Sequence, residues 1–172
     1  FYGAFIQARA LDLREQSEGT RTLQIGLMAL RNKDYRNASR IFQYVIERYP
    51  ESPNYQMAKF YMIEAREMQA KNTFPVVDEA VREVIQEYKA YDNEFAQDMR
   101  TAQAKRNRAL LHAFYLNEKD SAVLLLEEVI RMPRVSTRLK SECKLDLGDI
   151  YLLKGEPWES TLLYSQVEKT MK

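Results

Sequence analysis

The sequence predicts an all-α fold of about nine antiparallel helices in repeated pairs, and three observations carry that expectation. Glycine and proline number only 5 each in 172 residues, and good helix formers fill the rest, so helix is favoured almost everywhere. One apolar stripe, read at helical spacing, recurs along the chain. The stretch Leu147 to Val167 spells a complete antiparallel pair: an apolar helix, a stop at Gly155, and a second helix beginning at Pro157.

Taken in order, Phe1 to Gln16 reads as an amphipathic helix carrying Phe5, Ile6, Ala8, Ala10, Leu11 and Leu13, stopped by Ser17-Glu18-Gly19. Thr20 to Asn32 is the second helix. Asp34 suits the cap of the third, since its carboxylate can accept first-turn amide hydrogens. That helix carries Ala38, Ile41, Phe42, Val45, Ile46 and Tyr49 on one face and ends at Tyr49-Pro50. Ser52-Pro53 then starts the next.

The stripe returns as Val77, Ala80, Val81, Val84, Ile85 and Tyr88. It appears again, after an Asp120 cap, as Ala122, Leu125, Leu126, Val129 and Ile130. A last copy is Ser160, Leu163, Tyr164 and Val167. Gly26 lies twelve residues before Ala38 and Gly148 twelve before Ser160, so the outer repeats share a register. The step from Gly26 to Gly148 is 122 residues, about 20 more than three repeats of 34 require. A long loop at Lys71 to Phe74 and an extended helix from Asp92 to about Asn117 account for the excess. The expected repeats are 19–52, 53–91, 92–135 and 141–172 of one domain spanning 1–172. Residues 1–16 are read as the second helix of a preceding repeat, which makes the chain a piece of a longer array with ends open to self-association.

The order Gly148, Tyr151, Gly155, Ser160, Tyr164, with Gly26, Ala38, Phe42 and Pro50 in the first repeat, resembles the tetratricopeptide repeat. Phe42, Tyr49, Pro50, Ser52, Pro53 and Ala58 add a narrower likeness to tetratricopeptide proteins of the bacterial cell envelope. Leu145 to Lys169 is similar to segments of large bacterial multi-repeat proteins. The resemblance implies a right-handed α–α superhelix, a solenoid whose first helices line a groove that receives a peptide or partner helix. The groove positions it assigns are Leu27, Arg31, Phe60, Glu64, Glu67, Asn107, Leu111, Phe114, Tyr115 and Asp149. The expected role is a non-catalytic protein-interaction scaffold, on the periplasmic side of a bacterial envelope or in the cytoplasm.

Chemistry of other kinds has little support in the residues. His112 has no serine or cysteine nearby in sequence to act as its nucleophile. A single cysteine, Cys143, excludes an internal disulfide and reads as a small buried apolar residue. The glycines are scattered, so no phosphate loop forms, and no metal or cofactor is expected. Charge nearly cancels, 26 bases against 25 acids, which argues against a polyanion binder. The alternative reading is RNA or single-stranded nucleic acid held by the basic segment Arg100 to Arg108, with Phe114 and Tyr115 for stacking.

Overall fold

The computed structural model describes residues 1–172. It consists of nine helices and no strands: α1 (Tyr2–Glu15), α2 (Thr20–Arg31), α3 (Tyr35–Arg48), α4 (Asn54–Lys71), α5 (Asp78–Glu94), α6 (Met99–Tyr115), α7 (Lys119–Arg131), α8 (Thr137–Lys154) and α9 (Pro157–Met171). They cluster into two compact units, Phe1–Ala80 and Val81–Lys172.

In the first unit, α2 packs on α1 and α3, and α3 on α4. Ala38, Ile41, Phe42 and Val45 of the expected α3 stripe are all buried, joined by Ala29, Ala58 and Ala65. A Cβ at Gly26 would stand 2.6 Å from the Phe42 ring, so the bare glycine is what lets α2 and α3 approach. The Asp34 carboxylate accepts from the Asn37 amide at 3.3 Å, as a helix cap does. Ser52 accepts from the Asn54 amide (2.9 Å) and donates to the Glu18 carbonyl (3.2 Å). The Asn54 side chain donates to the same carbonyl and to Thr20 Oγ1, both at 3.0 Å. These bonds tie the start of α4 to the start of α2 across 34 to 36 residues, so the repeat length is written into the hydrogen bonding.

The amphipathic face expected of α1 is not the one the fold uses. Ile6, Leu11 and Leu13 are exposed, while Ala8 and Asp12 are buried. Asp12 Oδ2 accepts from the Thr22 amide (3.0 Å) and hydroxyl (2.5 Å). Its Oδ1 accepts from the Arg21 amide (2.9 Å) and the Ser17 hydroxyl (2.6 Å). A carboxylate in α1 thus caps α2, whose own N-cap, Gly19, has no side chain to do so.

In the second unit, α6 packs on α7, α7 on α8 and α8 on α9 around a core that includes Ala109, Ala122, Leu126, Val129, Cys143 and Ile150. The long helix expected from Asp92 is in fact two. Asp92 belongs to α5, which runs on to Glu94, and α6 starts afresh at Met99. Asp98 causes the restart through a reciprocal capping box: its carboxylate accepts from the Arg100 and Thr101 amides, and the Thr101 hydroxyl accepts from the Asp98 amide. Asp120 is likewise not a cap. It lies in the first turn of α7, after N-cap Glu118, and takes Lys154 Nζ at 2.8 Å.

Gly155 closes α8 in the left-handed conformation, φ 79°, and Pro157 opens α9. A Cβ at Gly148 would stand 2.5 Å from Tyr164, sixteen residues on, the same interval that separates Gly26 from Phe42. Both outer pairs therefore close by the same device: a missing Cβ on the first helix admits an aromatic ring from the second.

Candidate partner-binding site

In the first unit, Arg31 is exposed on α2 and Glu64 half-buried on α4, while Leu27 is partly buried against the core. Phe60 and Glu67 are not ligand-facing. Phe60 is 5% exposed, its ring edge-on to Tyr61, and Glu67 is buried and ion-paired with Lys71 at 2.8 Å. Counting along the helix could not separate a groove position from one covered by the adjacent helix. Met28, which the repeat register does not single out, is exposed on α2.

In the second unit, two links fix the relation of the first helices α6 and α8. Met99 Sδ accepts from the Ser136 amide at 3.2 Å, and further along Arg106 donates to Asp146 (2.6 Å) and Glu142 (2.9 Å). The partners advance together with offsets of 36 to 40 residues, so α6 and α8 run parallel. That register brings the C-terminal end of α6, with Phe114 and Tyr115, abreast of Leu152 and Leu153 on α8, and all four are exposed. Leu111, by contrast, is 1% exposed and belongs to the core. Asn107 is engaged internally, accepting from Gln103 and donating to the Tyr88 hydroxyl at 3.1 Å. Asp149 is exposed but accepts from Tyr164 at 2.6 Å. Tyr151 is half-buried against the core, and Trp158 is 83% exposed.

The basic segment is mostly structural. Lys105, 4% exposed, is ion-paired with Asp92 and with Glu128 at 3.2 Å. Arg108 is also buried, and burial lowers its pKa although Asp92 and Glu128 favour its charge. Arg106 is taken by α8. Three of the four cations counted toward a nucleic-acid track thus bind together α5, α6, α7 and α8.

No catalytic constellation forms from the other candidates. Burial lowers the His112 pKa against the opposing pull of Glu118, whose Oε1 lies 3.7 Å from Nδ1 and 3.0 Å from Arg82 Nη1. Cys143 is fully buried, and desolvation pushes its thiol up to about 12, so it offers no thiolate near neutral pH. No group of three or more His, Cys, Asp or Glu side chains is arranged to hold a metal ion. No helix is long and apolar enough to cross a membrane.

Parallel first helices tied at a repeat-length offset, alternating with antiparallel second helices, define a tetratricopeptide-like helical-repeat fold. Solved structures of MamA, a tetratricopeptide-repeat protein, share it. One, titled "MamA RS-1 ArsTM double mutant", superposes with TM-score 0.67 at 13% identity, covering 98% of this chain and 83% of that one. Another, "Crystal structure of MamA", gives 0.66 at 15% identity over 97% and 86%. No family model matches the sequence, and no curated protein does.

Proposed function

We propose that the protein is a non-catalytic interaction scaffold that binds a peptide or partner helix along its first helices. The observation that carries this is the row of exposed apolar side chains at one end of α6 and α8: Phe114, Tyr115, Leu152 and Leu153. Large aromatics presented on rigid parallel helices lose little entropy on binding and are the residue types that anchor partner interfaces. Further back along α6, Arg106 is already neutralised by Glu142 and Asp146, so the surface favours apolar contact over a charged ligand. Asp149 is proposed as a polar rim contact of that row, and Arg31 and Glu64 as separate polar contacts on the first unit. The motif of Phe42, Tyr49, Pro50, Ser52, Pro53 and Ala58 supports a place among bacterial cell-envelope repeat proteins, and fractionation of the source cells tests it.

Replacing Phe114 and Tyr115 together with alanine tests the binding reading. Both are more than a third exposed, so the fold should survive, while a co-purifying partner should be lost. Retention of every partner by a folded double variant would refute it.

A further inference from the structure

The first unit holds an open cavity of about 410 Å³ whose charge is one-sided. Arg9 from α1, Arg40 from α3 and Arg66 from α4 line it together with Phe5, Tyr44 and a single acid, Glu47. Glu47 accepts from Gln43 at 2.7 Å. A groove of similar size in the second unit, about 370 Å³, is lined by two acids, Glu127 and Glu159, against two bases, Arg131 and Lys144. An excess of cations is therefore not a general property of grooves in this fold.

The Arg9 guanidinium is fixed by rings and not by a carboxylate. Its carbon lies 4.2 Å from the Tyr44 centroid and 5.3 Å from that of Phe5. Tyr44 is itself held edge-on by Phe5 at 5.5 Å and Tyr49 at 6.4 Å. A guanidinium held over an aromatic face keeps N–H donors for an oxyanion, and its side-chain entropy is already lost. The Arg9 and Arg40 guanidinia, from two helices around one cavity with Arg66 in its wall, suit planar oxyanions, which arginine binds through paired N–H bonds.

We propose that this three-arginine cavity is a carboxylate-binding site that takes an acidic segment of a protein partner. A nucleic-acid strand fits it less well, because affinity for such strands comes from neutralising many successive phosphates, and the arginines here line one cavity and do not form a track. Phe5 and Tyr44 add apolar wall for the stems of glutamate side chains. The site is built from α1, α3 and α4 and does not depend on the Phe114 surface.

The test titrates the full chain, isotope-labelled for NMR, with a capped hexaglutamate peptide, hexalysine, inorganic phosphate and an oligo-dT strand at about 150 mM salt, where long-range attraction is screened. Hexaglutamate should bind saturably, shifting Arg9, Arg40 and Tyr44 resonances, and hexalysine should not. Arg40→Gln, at an exposed position, should weaken hexaglutamate by at least about tenfold with an unchanged melting temperature. Arg40→Lys, which keeps the charge and loses the fork, should fall between. Phe114→Ala should leave hexaglutamate binding intact, which separates this site from the first-helix surface. Wild-type affinity in Arg40→Gln, or shifts confined to other helices, would overturn the proposal. Tighter binding of phosphate or of oligo-dT than of hexaglutamate would overturn the carboxylate assignment.

Discussion

Asp12→Ala removes the acceptor for four hydrogen bonds at the start of α2: two backbone amides, Arg21 and Thr22, and two hydroxyls, Ser17 and Thr22. The Arg21 amide belongs to an exposed residue and can turn to water; Thr22 is fully buried and cannot. One stranded buried amide costs about 1–3 kcal/mol and a lost cap about 0.5–2, so the sum lies near 2–4 kcal/mol. For a chain of this size that lowers the melting temperature by roughly 5–15 °C. Asp12→Asn keeps one acceptor oxygen and should cost about half as much. The pH dependence separates the carboxylate's contribution from mere packing. Burial pushes the Asp12 pKa up, but the hydrogen bonds from Ser17, Thr22 and Arg21 outweigh it and hold the folded value below 3.8. A depressed folded pKa gives stability that is present above the unfolded value and lost as pH falls through the folded one. The gap between wild type and Asp12→Asn should therefore be full at neutral pH and narrow below about pH 3.8. Urea unfolding should be followed by circular dichroism, because exposed Trp158 on α9 is a poor reporter for α2. Amide exchange localises the effect. A loss under about 0.5 kcal/mol for Asp12→Ala, or a gap unchanged at about pH 3, would refute the capping argument.

The two close-packing glycines should rank by how far their ring can retreat. Gly26→Ala meets Phe42, which is fully buried, and should cost about 1–3 kcal/mol; Gly148→Ala meets half-buried Tyr164, which can swing away by giving up its 2.6 Å bond to Asp149, and should cost less. Thermal melts giving the reverse order would contradict it. Lys105→Ala leaves Asp92, whose side chain is only 10% exposed, without its cation and should destabilise the second unit by about 3–5 kcal/mol, measured by urea titration; a loss under about 1 kcal/mol would mean the pair is not desolvated. Cys143 should resist iodoacetamide at about pH 8 until the chain unfolds, since its thiol titrates at about 12; mass spectrometry of alkylation under native conditions checks this.

Helix existence was legible in the sequence because each second helix carries a complete stripe. The Ala38 to Val45 face and the Ala122 to Val129 face are core as read. Gly155 and Pro157 act where their backbone preferences put them. What was not legible depends on contacts between elements. Asp12 looks like one more solvated acid of α1 until α2 folds back on it. Lys105 and Arg108 look like surface charge until α5 and α7 flank them. Phe60 and Leu111 share the helical register of exposed neighbours, and only the packing of adjacent helices buries them. The Asp98 capping box was a local signal, readable as D-x-x-T before the α6 helix and outweighed by the apparent continuity of helix formers from Asp92.

In the proposed function, partners are held by the first helices of the second unit. A photo-crosslinking amino acid placed singly at Phe114 or Leu152, and as a control at Leu124 on second helix α7, tests it most directly, since all three side chains are exposed. Irradiation in the source cells should join one and the same protein to the probes at Phe114 and Leu152 and leave Leu124 bare. Crosslinks that arise at Leu124 as readily as at Phe114, or at neither first-helix position, would contradict the account.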